Sequence, residues 1–275
     1  MSTADQALRL SGRLSVIADN VRVCAKAYPE KPRLADIGCD HALIPASLLL
    51  SGEIAFAYAS DIREGPLAAA RENAADTGTE DRMRFVLADG LSGIGKGKAD
   101  ICVIAGMGGE LIRAILETGD AFEKGITSLV LSPHTKQEVL REYLAQSPYR
   151  IAAETMTEED GKFYPVITAC TENAPAAEAL SLQSGLFETV PEALAGETGC
   201  TAEDAKHMCM LFGPLLLERG DAVLQRYLQR QQARLSGILE RTAKEQTVPE
   251  AVAGRMRLVA YALKRYESGN EEVTS

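Results

Sequence analysis

Two aspartates four residues apart bracket a single glycine in ADIGCDHALIP, Ala35 to Pro45, where a strand-like run gives way to an apolar helix-like one. A strand-to-helix turn in this position usually receives a nucleotide pyrophosphate through three glycines. If Gly38 opens such a fingerprint, its second and third places fall on Asp40 and Leu43. Side chains there hold a ligand off the backbone, and a carboxylate would face phosphate oxygens. A cationic ligand without phosphate suits Asp36 and Asp40 better. S-adenosylmethionine has that character in its sulfonium and α-amino groups, and Gly38 with Cys39 forms the turn that would receive it.

Three further segments put suitable groups at the ends of predicted strands, where open α/β sheets bind ligands. In YASDI, Asp61 stands a little over twenty residues beyond Gly38, the separation at which an acid grips ribose hydroxyls, and Ile62 follows it. LADGL brings Ala88, Asp89 and Gly90 to the end of the third strand, with Asp89 a candidate for the adenine amino group. IAGMGG ends the fourth; around Ala105, Gly106 and Met107 its glycines let cofactor and target base approach the backbone. Each feature alone has an ordinary reading: Asp36 as a helix-capping acid, Asp61 as a loop residue, GMGG as a turn. Their joint order at successive strand ends favours a methyltransferase.

The elements that must position these residues follow from the hydrophobic pattern. Leu8 to Tyr28 has apolar residues at helical spacing and ends before Pro29. Then RLADIG, IAFAYASD, RMRFVLAD, ADICVIAG and ITSLVLSP read as buried parallel strands, separated by helical stretches such as IREGPLAAARENAADTG, with Gly78 as a stop. That is a doubly wound α/β domain. YRIAAETMTEEDGKFYPVITAC reads as a hairpin with an acidic turn at Glu158 to Gly161, an antiparallel sheet edge usual for class I methyltransferases. The domain is expected over 1–172, a linker or insertion of marginal helical content over 173–200, and a helical domain over 201–275. Breaks at Gly213-Pro214, Gly220 and Val248-Pro249 shape that last part into a helical hairpin with one apolar seam.

Composition narrows the setting. The chain has 275 residues, 46% of them hydrophobic, enough for a substantial core. No apolar run is long enough to span a membrane, and MSTADQALRL lacks a signal peptide's order, so a cytoplasmic protein is expected. The six cysteines form no CxxC pair; Cys200, His207 and Cys209 lack a fourth ligand, and no metal is expected. A formal charge of −10 argues against a nucleic-acid partner, but between Phe212 and Tyr266 ten basic residues stand against five acidic ones. That segment is +5 and the remainder −15. Arg226, Arg230 and Arg234 recur every four residues along one helical row, a candidate phosphate track, although such arginines are often only a solvated face.

Across nearly its whole length the chain resembles the bacterial tRNA (adenine(22)-N(1))-methyltransferases. LSGRLSVIADNV, RLADIGCDHALIP, ASDIREGPLAAAREN, ADGL, IAGMGG, EDGKFYPVI and FGPLLLERG carry the likeness. It implies a Rossmann-like class I domain dependent on S-adenosylmethionine, a C-terminal coiled-coil-like helical domain, and methylation at N1 of a D-arm adenine in tRNA. Two places depart from the family pattern: Leu43 stands where tyrosine is common, and SPH, Ser132 to His134, stands where QPN is usual. The first removes one stacking surface for a flipped base. Since adenine N1 is a neutral nucleophile, positioning should dominate, and the cationic product calls for a nearby carboxylate. Asp40 is the candidate; His41 bonds the base or braces the loop. Methylation of another RNA position or of a small molecule, and a non-catalytic binding module, are the competing readings.

Overall fold

The computed structural model describes residues 8, 10–183, 185–243 and 250–268. These divide into two compact units, the first ending at Gln183. In the first, helix α1 (Gly12–Lys26) starts where the Ser11 hydroxyl accepts from the Leu14 amide, later than the apolar pattern alone suggests. Strands β1 (Arg33–Ile37), β2 (Phe56–Asp61), β3 (Met83–Leu87), β4 (Ile101–Gly108) and β5 (Ser128–Thr135) alternate with helices α2 (Leu43–Leu50), α3 (Glu64–Thr77), α4 (Gly109–Thr118) and α5 (Gln137–Gln146). Strands β6 (Tyr149–Glu159) and β7 (Lys162–Thr171) then complete one sheet in the order β3-β2-β1-β4-β5-β7-β6. The first five strands are parallel; β7 runs antiparallel between β5 and β6. Order and directions match the expected class I methyltransferase sheet.

Local chemistry sets the boundaries. Gly78 ends α3 with φ +63°, a left-handed closure that costs glycine little. In the hairpin, Asp160 (φ +49°) and Gly161 (φ +68°) form the two-residue turn that matches the twist of its strands. The central strands are buried along most of their length, as Ile101 to Ile104 and Leu129 to Leu131 show. Each such side chain contributes about 1.5–3 kcal/mol. Thr168 of β7 donates to Asn20 of α1 (3.0 Å), and Glu159 of β6 accepts from the Arg13 amide (3.1 Å). The start of α1 is thereby fixed beside the β6–β7 hairpin. A fully buried pair, Arg141 Nε to Glu154 Oε1 at 2.7 Å, joins α5 to β6.

The 173–200 segment is more structured than its composition suggests. Helix α6 (Pro175–Ala179) buries Ala176 and Ala177 within the first unit. Helix α7 (Leu186–Thr198) belongs to the second and buries Leu186, Val190 and Leu194, an apolar row at four-residue spacing. Small alanines give a weak hydrophobic signal but let helices pack closely. The second unit continues with α8 (Ala202–Phe212), α9 (Pro214–Glu218), α10 (Ala222–Ala243) and α11 (Glu250–Ser268). The Gly213-Pro214 and Gly220 breaks separate α8, α9 and α10 as expected; the Val248-Pro249 break lies outside the described residues. Leu224, Leu228 and Leu235 of α10 and Leu258, Val259 and Ala262 of α11 are buried. Tyr266 near the end of α11 donates to the Asp221 carbonyl at the start of α10 (3.0 Å), which makes the pair an antiparallel hairpin. No described helix is long and apolar enough to cross a membrane.

Candidate cofactor and substrate cleft

At the carboxyl ends of β1, β2, β4 and β5 the first unit opens a cleft of about 430 Å³. Its floor begins at the turn after β1. Gly38 has φ +73°, and a Cβ there would overlap the Met107 methyl group. The Gly38 and Cys39 amides both donate to the Ser60 carbonyl, at 2.8 and 3.1 Å. Asp40 (φ +46°) and Ala42 (φ +51°) are left-handed as well. The two that are not glycine, Asp40 and Ala42, store strain, which the Asn73 amide of α3 helps to hold by donating to the His41 carbonyl (3.0 Å). The contorted turn brings Asp40 and His41 to the lip of the cleft, where their side chains are 74% and 57% exposed.

The two deeper carboxylates differ from Asp40. Asp36 is 5% exposed and no hydrogen bond to its carboxyl is found among the described residues. Burial, then the charges of Asp40 and Asp61, push its carboxyl up to about 7. Asp61 is 7% exposed. Its Oδ1 accepts from the Arg63 amide at 2.9 Å, with Arg63 Nε at 3.6 Å. Its Oδ2 has no partner among the described residues and is free to accept from a ligand hydroxyl. Burial and the neighbouring Asp36 and Asp61 also hold the Cys39 thiol far above its ordinary range, so it stays protonated and shapes the turn.

On the opposite side, the ladder between β4 and β5 shifts register around Gly106, which has φ +81°. This bulge directs Met107 across the turn after β1. The later glycines serve packing: a Cβ at Gly109 would overlap the Lys136 carbonyl. Beyond the bulge, His134 of β5 stands edge-on to Tyr164 of β7, ring centres 5.3 Å apart. Arg13 of α1 approaches His134 Nε2 at 3.5 Å, and its guanidinium lies 5.2 Å from the Tyr164 ring centre.

Of the residues singled out in the sequence, Asp36, Gly38, Cys39, Asp40, His41, Asp61, Ala105, Gly106 and Met107 meet in this cleft. Ile62, Ala88, Asp89 and Gly90 do not line it. Ala88 donates to the Asp61 carbonyl (3.0 Å), which places that group just past the Asp61 wall, with Ile62 and Asp89 exposed. Arg13, Leu14, Leu43, Ile44, Arg63 and His134 also line the cleft. Arg63, two residues beyond Asp61, was within reach of a local reading; Arg13 and His134 come from distant elements that no spacing rule connects. Arg226, Arg230 and Arg234 are exposed along α10. Among the described residues, no group of three or more His, Cys, Asp or Glu is placed to hold a metal ion.

Comparison with known proteins identifies the fold and the family. Residues 10–167 match the methyltransferase domain family. The tRNA (adenine(22)-N(1))-methyltransferase of Bacillus subtilis is 36% identical over 181 residues, covering 66% of this chain and 73% of that protein. The crystal structure of the B. subtilis M1A22 tRNA methyltransferase superposes with a TM-score of 0.70 at 29% identity, covering 93% of this chain and 99% of that one. A putative tRNA (m1A22) methyltransferase from Streptococcus pneumoniae, solved in complex with S-adenosyl-L-methionine, gives 0.71 at 25% identity, over 93% and 100%. Sheet order, cleft and sequence likeness converge: the chain belongs to the tRNA (adenine(22)-N(1))-methyltransferase family.

Proposed function

We propose that the protein methylates N1 of adenine 22 in the D-arm of tRNA in the cytoplasm, with S-adenosylmethionine as methyl donor. Membership of the family supports the tRNA substrate, and the observation that carries the choice of methyl donor is the pair of buried acids, Asp36 and Asp61, beside a one-glycine turn. This donor set fits a cation with a ribose and repels a phosphate. Asp61 Oδ2 would hold the ribose hydroxyls, Asp36 would face the cationic methionine end, and Gly38 with Gly106 would leave the backbone open. When bound, S-adenosylmethionine supplies a methyl group whose bond to sulfur breaks as a bond to adenine N1 forms, leaving positive charge on the base.

The chain's own task is to position the base and to receive that charge. No base is required to activate N1, and Asp40 at the lip is exposed enough to meet the exocyclic amine and the developing cation. Asp40→Asn should reduce turnover about tenfold at saturating cofactor while the affinity for S-adenosylmethionine holds. Equal turnover in the two proteins would remove Asp40 from this role. The function itself is tested by incubating unmodified tRNA with labelled S-adenosylmethionine and mapping the product by mass spectrometry. A single 1-methyladenosine at position 22 is expected; cofactor binding without tRNA methylation, or methyl transfer elsewhere, overturns the reading.

Affinity for the tRNA backbone is assigned to the second unit. Arg226, Arg230 and Arg234 lie exposed on α10 and opposite in character to the buried Leu224, Leu228 and Leu235. Each phosphate neutralised there releases counterions and steepens the salt dependence. Replacing all three with glutamine should weaken tRNA binding about tenfold and flatten its salt slope by about two or three, with cofactor affinity unchanged. The same affinity and slope in the triple variant would rule out α10 as the backbone-binding face.

A further inference from the structure

Of the described residues lining the cleft, only His41 and His134 carry rings. They are held very differently. His41 rides on the strained turn, with its side chain 57% exposed and its nearest charged neighbour, Asp40, 3.9 Å away. His134 is braced from two sides. The antiparallel register that pairs Leu131 with Ile167, carried three residues further, sets His134 opposite Tyr164. The two rings meet edge to face at 61°. Arg13 approaches His134 Nε2 and lies over the Tyr164 ring, its own backbone tied to Glu159 on the neighbouring strand. Four elements thus converge to hold one imidazole at the mouth of the cleft.

The geometry points to His134 as the ring on which the target base stacks, with Tyr164 and Arg13 as the residues that position it. The assignment rests on the proposed nucleobase methylation. Gly106 lies beside the ring: a Cβ there would make only an ordinary contact with His134, 4.0 Å from Cε1, so the bulge runs next to the ring without crowding it. Charge bears on the assignment. A guanidinium can only donate, so the 3.5 Å approach of Arg13 to His134 Nε2 fits a ring whose Nε2 carries no proton. Burial and the positive charges of Arg13 and Lys162 lower the imidazole pKa and keep the ring neutral. A neutral ring can stack against a base that turns cationic on methylation; an imidazolium in the same place would repel it. Asp40 on the opposite lip then supplies the counter-charge. The cleft divides its labour between a neutral surface for the base and a carboxylate for the charge.

Three variants and two readouts test the assignment. His134→Ala and His134→Gln both remove the ring, the second keeping polar bulk; His134→Phe keeps an aromatic face. Stacking of one base implies a loss of about tenfold or more in kcat/KM for tRNA in the first two. His134→Phe should recover most of that loss, and S-adenosylmethionine affinity should stay the same in all three. Adenosine binding to the protein saturated with S-adenosylhomocysteine, followed by NMR, should weaken in the same order and needs no turnover. Ringless variants within twofold of wild type in both readouts overturn the proposal. So does a phenylalanine variant as impaired as the alanine one, which would show that the nitrogen matters and the ring face does not. A wild-type protein that binds adenosine through His134 yet transfers no methyl group to tRNA would instead overturn the proposed function.

Discussion

Replacing Asp61 with alanine should weaken S-adenosylmethionine binding by about two orders of magnitude and leave the protein folded. Hydrogen bonds to a charged acceptor contribute about 1.5–3 kcal/mol each, and about 1.4 kcal/mol is a factor of ten in affinity. Asp61 has one oxygen committed to the Arg63 amide and the other without a partner among the described residues. The substitution costs the fold one local hydrogen bond. In exchange it removes one of the charges that raise the Asp36 carboxyl. The balance favours a near-native melting temperature. Calorimetric titration decides the matter: cofactor affinity equal to wild type in a folded Asp61→Ala protein would show that the ribose is held elsewhere.

Asp36→Asn should stabilise the protein and impair it together. A carboxyl held near 7 in the folded chain, against the ordinary 3.8, binds more protons folded than unfolded across that interval. Stability therefore falls as pH rises between those values, and the deficit is complete above about 7. The asparagine variant carries no such deficit, so its melting temperature should exceed that of wild type at pH 8 and converge on it towards pH 4. Cofactor binding should move the other way. A cationic ligand favours the ionised carboxylate, so wild-type affinity should drop about tenfold per pH unit below 7, with a proton released on binding. The variant should bind about a hundredfold more weakly at pH 8 and show little pH dependence. Melting curves that keep a constant separation from pH 5 to pH 8, or a variant with wild-type affinity, would contradict this account. Such opposition between stability and ligand affinity is expected wherever a site keeps a charge that the fold alone would discard.

Much of this cleft was legible in the sequence, for a physical reason. Asp36, Gly38, Asp61 and Met107 each sit at the carboxyl end of a strand whose buried apolar run marks it plainly, so strand order alone gathers them. The DG turn and the Gly78 stop were equally clear, because left-handed backbone favours particular residues. Ala88, Asp89 and Gly90 do follow the end of β3, but lateral position across a sheet depends on twist, and they fall just outside the lining. The His134 platform was illegible. Arg13 and His134 are 121 residues apart, and the contact with Tyr164 exists only because β7 enters the sheet beside β5. The 173–200 segment reads as a linker of only marginal helical content, because the short α6 buries alanines, which carry little hydropathy contrast, and Pro191 interrupts the apolar row of α7.

The position of β7 has a consequence during synthesis. Strand β6 leaves the ribosome first but has no neighbour other than β7, so it cannot join the sheet on its own. While residues 149–162 emerge, β5 presents an open, apolar edge, the kind of surface that recruits foreign strands. Only when Lys162–Thr171 has been made can the hairpin zip at Asp160-Gly161 and dock as a unit. Tyr164 arrives with it. A nascent chain paused before this point would already hold Asp61 and the turn after β1, yet lack the brace behind His134.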